Sequence, residues 1–294
     1  MKTSLTRIYT EDGLELHGVL YEPEEKTQTI LIHVHGMAGN FYENQFLNSL
    51  AQALTKNKIA FFVFNNRGSE FIKDFHKTSL DGSSRIVRLG SAYEAFEDSY
   101  IDIKAAIDFI SKKFEYIHIS GHSLGCAKVA YYVATSEDKK IASALFISPS
   151  DMLGLVRADQ ENFKATIIEA TTLVKSGKNS QLLTELVWGE YPISASTYLS
   201  LFADDAKDAI FNFSNPSDML DILKKISVPL FAIMGTKDDA LTVPIQEAFT
   251  RLEEALIRSP KKQTRVLEGA THGYRGHEEE LAGLVLEWLT SEGN

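Results

Sequence analysis

With 294 residues, 44% of them apolar and 24% charged, the chain has the composition of a soluble globular protein, as one large domain or a core domain with an insertion. A formal net charge of −10 disfavours a general polyanion-binding surface, and with it sequence-independent nucleic-acid binding. The single cysteine, Cys126, excludes an intramolecular disulfide, no apolar run reaches the length of a membrane span, and residues 1–7 lead into Glu11-Asp12 without an apolar signal stretch, so a cytoplasmic protein is expected.

Residues 4–10 and 14–21 alternate polar and apolar around Glu11-Asp12-Gly13, which predicts an antiparallel hairpin at a sheet edge. Residues 29–36 form a nearly continuous apolar strand that ends in the loop His35-Gly36-Met37-Ala38-Gly39-Asn40, before a helix over about 42–56. A second buried strand follows over 58–65, then Asn66-Arg67-Gly68, a polar loop through the eighties and a helix over about 91–112. A strand at 116–120 runs into a turn at Ser123, a helix to about 135 and a strand at 141–147 closed by Ser148-Pro149-Ser150. Strands alternating with helices at this spacing predict right-handed crossovers and a mostly parallel, doubly wound α/β sheet.

Between 151 and 226 the rhythm changes to helical patterns, at 161–175, 180–188 and 195–210, which predicts a helical insertion dividing a core of 1–150 and 227–294. Alternation resumes with a strand at 228–234, a helix over 244–257, a strand at 264–268 and a last helix over 278–290 that opens on Glu278-Glu279-Glu280, favoured there by the helix dipole.

The chemistry centres on Gly121-His122-Ser123-Leu124-Gly125. At ~7% glycine and similar serine, roughly one chain of this length in ten holds Gly-x-Ser-x-Gly by chance, so context decides. Here a β-rich run precedes the motif and a helical run follows it, which is the context a nucleophile on a sharp strand-to-helix turn requires. A serine hydroxyl is a weak nucleophile without a base, and the base works best with a carboxylate fixing its tautomer. Two later strand ends supply these types: Met234-Gly235-Thr236-Lys237-Asp238-Asp239 and Glu268-Gly269-Ala270-Thr271-His272-Gly273. Both loops emerge at the sheet edge where ligands bind in open α/β folds.

In this order, Ser then Asp then His, the chain resembles an α/β-hydrolase serine enzyme over essentially its whole length, with 151–226 similar to that family's cap. The resemblance implies Ser123 as nucleophile, His272 as general acid and base, and Asp238 as the orienting carboxylate; Asp239 stays a rival for the last role. It also implies an oxyanion hole from the backbone amides of Leu124 and of Met37, since His35-Gly36-Met37 is similar to the family's His-Gly-X. The stretch 35–40 together with Asn65-Asn66-Arg67-Gly68 resembles hydrolases related to siderophore esterases. A dehalogenase or epoxide hydrolase would carry Asp at the elbow, where this chain has Ser.

The expected activity is a cofactor-free carboxylesterase acting on a small or medium ester. Amidase, thioesterase, acyltransferase or lyase chemistry on the same triad remains open, as does a non-catalytic ligand receptor. His33 and His35 share a strand face and offer a rival metal reading. His122 reads as packing inside the elbow, His76, His118 and His277 as core or surface residues, and Cys126 as a small buried hydrophobe. Arg67 ties its loop or holds a substrate oxygen. Phe163, Trp188, Tyr191, Tyr198 and Phe202 are insertion core or pocket wall.

Overall fold

The computed structural model describes residues 1–136, 138–204, 206–215 and 220–291. In chain order the strands and helices are β1 (Lys2–Tyr9), β2 (Glu15–Glu22), β3 (Thr29–Val34), α1 (Phe46–Lys56), β4 (Ala60–Phe64), β5 (Lys73–Thr78), β6 (Ser84–Leu89), α2 (Ser99–Ile110), β7 (Tyr116–His122), α3 (Leu124–Thr135) and β8 (Ile141–Ile147). There follow α4 (Met152–Arg157), α5 (Gln160–Lys175), α6 (Ala195–Phe202), α7 (Leu220–Leu223), β9 (Leu230–Lys237), α8 (Ile245–Ala255), β10 (Lys262–Thr271) and α9 (Glu278–Ser291).

Eight strands form one sheet in the order β1-β2-β4-β3-β7-β8-β9-β10. The β1–β2 hairpin is antiparallel and joins β4 antiparallel, while every pair from β4 to β10 is parallel. The inner strands β3, β4, β7 and β8 are buried along nearly their whole length because both faces are covered. Ile30, Ile32 and Val34 of β3 join one core cluster with α2, α3 and α8, whereas Leu31 joins the opposite cluster with α1 and α9. There Trp288 of α9 stacks on Phe231 of β9, with ring centroids 5.3 Å apart.

Several elements depart from the sequence pattern for local reasons. α1 starts at Phe46 rather than about 42 because Asn40 Oδ1 accepts from the amides of Tyr42 and Glu43, turning the chain first. The stretch through the eighties is no loop: β5 and β6 pair as an antiparallel hairpin around Gly82 in a left-handed conformation (φ +82°), with Arg88 bonded to Asp74 across the pair. Only Phe75 of β5 is buried, so the apolar alternation that marks a strand is faint. The helix predicted at 180–188 does not form; the amides of Leu183 and Val187 donate to Ile193 O and Tyr191 O, and Trp188 and Gly189 both take positive φ. α6 stops at Phe202 where Ala203 turns extended. The buried side chains of α5 and α6, among them Ala170, Tyr198 and Phe202, belong to the same cluster as α2 and α3, so the segment between β8 and β9 packs on the sheet core. Among the described residues no helix is long and apolar enough to cross a membrane.

Candidate active site

β7 ends at His122 and α3 begins at Leu124, leaving Ser123 alone on the turn with φ +56° and ψ −129°, a conformation costing about 1–3 kcal/mol for a residue with a Cβ. The flanking glycines are required by contact. A Cβ on Gly121 would lie 2.2 Å from Gly125 O, and one on Gly125 would lie 2.2 Å from Val34 O. Ser123 is thereby lifted above the sheet edge, and the amide of Leu124, as the first residue of α3, has no acceptor within its helix.

The loop after β3 presses on this turn. A Cβ on Gly36 would sit 2.8 Å from Ser123 Cβ and 3.3 Å from Leu124 N, so only glycine permits the approach. The next amide, that of Met37, is aimed by the peptide it shares with Gly36. Gly36 O accepts from His35 Nδ1 at 2.8 Å, and in a trans peptide the N–H points opposite the carbonyl. His35 can donate there because its Nε2 accepts from Asn66 N at 3.0 Å, which fixes the tautomer. Burial, and after it the charge of Lys128, push the His35 imidazole down to about 3, so it stays neutral.

At the ends of β9 and β10, His272 Nδ1 donates to Asp238 Oδ1 at 2.9 Å, leaving Nε2 as the basic nitrogen. The Asp238 side chain is 1% exposed and that of His272 25%, so the pair is sealed behind and open in front. Burial works to raise the Asp238 carboxyl, but the His272 hydrogen bond and charge, with donors from Ser148 and Ala240 N, outweigh it and hold the group below its ordinary value. Asp239, the rival, is exposed and lines the cleft without bonding His272.

Ser123, His272, Gly36 and Met37 line one cleft of about 470 Å³, with Ser150, Met152, Leu155, Trp188 and Tyr191 among its other walls. The hydrogen-bond partner of the Ser123 hydroxyl is Ser150 Oγ, 3.2 Å away. Sequence reasoning missed Ser150; its only signal was a position just past β8, at the same sheet edge. It also gave His122 too small a part: Nε2 donates to His272 O at 2.8 Å and the two rings lie 4.8 Å apart, so this residue anchors the histidine backbone. Burial, then the neighbouring His272, lower His122 to about 3.

The remaining candidates lie elsewhere. His33 Nδ1 bonds Ser120 Oγ at 2.9 Å on the α1 side of the sheet, and His118 Nδ1 bonds Ser143 Oγ at 2.7 Å. His76 is on β5, and His277 faces Glu280. Among the described residues no group of three or more His, Cys, Asp or Glu is placed to hold a metal ion. Cys126 is buried with its thiol on Gly121 O and Ile147 O. Arg67 ties its loop: it bonds Asp102 at 2.8 Å, Asp98 at 2.9 Å and Asp12 at 3.3 Å. Of the five aromatics, Trp188 and Tyr191 reach the cleft, Tyr198 and Phe202 are buried, and Phe163 lies under the Arg157 guanidinium.

Solved structures share this architecture. Est1E from Butyrivibrio proteoclasticus, solved with ferulic acid bound, matches 98% of this chain and 99% of its own at 18% identity and a TM-score of 0.67. The α/β hydrolase GrgF from Penicillium sp. sh18 matches 99% of each chain at 17% identity and a TM-score of 0.67. The Pyrococcus furiosus esterase Pf2001 matches 99% of this chain and 91% of its own at 19% identity and a TM-score of 0.61. The fold is that of the α/β hydrolases. No curated protein matches the chain in sequence. A family model, described as a protein of unknown function (DUF1749), matches residues 10–291, and the chain belongs to that family.

Proposed function

We propose that the chain is a serine hydrolase, and within that class a carboxylesterase of small or medium esters. The observation that carries the reading is the 2.9 Å Asp238–His272 pair, sealed behind and open in front, on the same cleft as a strained serine at a strand-to-helix turn. Ser123 Oγ attacks the ester carbonyl while its proton passes to His272 Nε2, and Asp238 stabilises the imidazolium. The amides of Met37 and Leu124 receive the negative charge on the carbonyl oxygen. His272 then protonates the departing alkoxide, and the alcohol leaves. In the second half a water gives its proton to His272 and its oxygen to the acyl carbon; the acid departs as the proton returns to Ser123 Oγ.

Residues 151–226 act as the cap in this reading, since Met152, Leu155, Trp188 and Tyr191 face the serine across the cleft. The two aromatics suit an apolar acyl or aryl group, and the ferulic acid bound to Est1E makes a hydroxycinnamate ester a fitting member of the test panel.

The test is intact mass after incubation with a fluorophosphonate, on wild type and Ser123→Ala, with nitrophenyl esters of increasing chain length and methyl ferulate. One adduct, lost in the variant, and turnover that depends on chain length are expected. A folded protein with neither adduct nor turnover would sink the hydrolase reading and favour a ligand receptor. Adding an alcohol as competing acceptor separates acyl transfer from hydrolysis.

A further inference from the structure

Building on that hydrolytic reading, we infer that Ser150 is a further catalytic residue, its hydroxyl donating to the Ser123 oxygen as that oxygen loses its proton in attack and again as it leaves in deacylation. Ser150 is 5% exposed, and its Oγ lies 3.2 Å from Ser123 Oγ and 3.3 Å from Ser148 O. The backbone amides of Met37 and Leu124 serve the carbonyl oxygen of the substrate. Ser150 serves the other oxygen of the same tetrahedral centre.

The turn that carries Ser150 is pinned on both sides. Ser148 has φ +51°, Pro149 fixes the next φ, Ser148 N donates to Ile233 O at 2.8 Å, and Asp151 N donates to Ala240 O at 3.0 Å. Ser148 Oγ in turn bonds Tyr274 Oη at 2.8 Å. A turn held this way keeps the Ser150 backbone in place beside Ser123 when that oxygen gains charge.

Each hydroxyl has one proton, which allows two arrangements. In the first, Ser123 donates to Ser150 and Ser150 donates to Ser148 O, so the nucleophile's proton is turned from His272. In the second, the Ser150 proton turns to Ser123 Oγ and the Ser123 proton is free for His272 Nε2. No bond other than hydrogen bonds changes between them. The second arrangement places a donor on an oxygen that becomes partly anionic during attack, as its proton passes to His272, and again in deacylation, as the acyl group leaves and the proton returns. A hydroxyl donor on a charged oxygen is worth more than one on a neutral oxygen.

The experiment compares wild type, Ser150→Ala and Ser150→Thr in three readouts: the second-order rate of fluorophosphonate labelling, kcat and KM on one nitrophenyl ester, and the melting temperature. Ser150→Ala is expected to slow both labelling and kcat by ~10- to 100-fold, the span of one hydrogen bond to a charged group, with KM and melting temperature unchanged. Ser150→Thr, which keeps the donor, is expected to recover most of both rates. Labelling of Ser150→Ala within about threefold of wild type overturns the inference, as does a loss confined to KM, or a Thr variant as slow as the Ala variant. A folded wild type with neither label nor turnover removes the hydrolytic reading itself, so the two failures are told apart by the wild-type control.

Discussion

Two pairs of a carboxylate with a nitrogen base lie close to the elbow, and they differ in their access to the cleft. Asp238–His272 spans 2.9 Å, with the carboxylate closed off and the imidazole 25% exposed to the cleft. Glu94–Lys128 spans 2.6 Å with both side chains wholly buried. Lys128 is on α3, as Ser123 is on the turn before it, so the same helix carries both chemistries. A pair open on one side can exchange a proton with a substrate; a pair closed on all sides can only hold things in place. What the closed pair holds is the loop that carries Gly36 and Met37. Lys128 Nζ donates to Asn66 Oδ1 at 3.3 Å, and Asn66 N donates to His35, whose other nitrogen turns the Gly36–Met37 peptide.

If the open pair is the one that handles protons, changes at its edge of the cleft carry the largest effects. Ser123→Ala is expected to lower ester turnover by about 10⁵- to 10⁶-fold while leaving the melting temperature in place. Asp238→Asn should lose about 10⁴-fold in kcat, because the amide no longer enforces the tautomer that leaves His272 Nε2 free. Asp239→Asn, measured beside it, should change kcat by less than about threefold, since an exposed carboxylate that does not touch the imidazole contributes little. Equal losses in the two Asn variants would mean that the carboxylates share the role.

The turn at Ser123 and the placing of Asp238 and His272 at strand ends were legible in the sequence because each is marked by its immediate neighbours. Gly121 and Gly125 flank the serine, Asp238 follows the apolar strand β9, and His272 follows the end of β10. The Gly36 loop was legible for the same reason. Ser150, the anchoring bond from His122 to His272 O and the Lys128–Asn66–His35 chain were not, since their partners lie 27 to 150 residues away and no periodicity marks them. The parallel sheet could be read from its continuous apolar strands. The β5–β6 hairpin could not, because its strands are charged on both faces and Asp74–Arg88 pairing takes the place of apolar alternation. Over 180–188 helical spacing was present, but the backbone donors turn to Tyr191 and Ile193 instead, a choice made by packing.

The closed pair can be tested for stability by denaturation, read apart from turnover because Lys128 also braces the loop that carries Gly36 and Met37. Lys128→Met removes one charge and leaves Glu94, whose Oε1 has no hydrogen-bond partner among the described residues, buried and uncompensated. The expected cost is about 3–5 kcal/mol by urea denaturation. Lys128→Met with Glu94→Leu should recover most of it, because an apolar pair of similar volume avoids the desolvation penalty. If the double variant is no better than the single one, the pair supports the fold through shape and the electrostatic account is wrong.

Asp12 is neither open nor closed, and the smallest effect is expected there. It sits in the β1–β2 turn, bonds Lys77 at 2.9 Å and Arg67 at 3.3 Å, and its side chain is 28% exposed. Burial pushes its carboxyl up, but hydrogen bonds from Lys77 and Thr10 and the charges of Arg67 and Lys77 win and hold it at about 2. A folded-state value below the unfolded one means that the ionised form stabilises the fold above about pH 4 and loses that contribution as pH falls toward 2. Asp12→Asn should therefore cost about 1 kcal/mol or less at pH 7, solvent screening the exposed part. The gap between variant and wild type should close between pH 4 and 2. Urea titrations at a series of pH values check both statements. A gap that persists unchanged at pH 2 would show that Asp12 contributes through hydrogen-bond geometry, and the protonated acid would then support the turn as well as the carboxylate does.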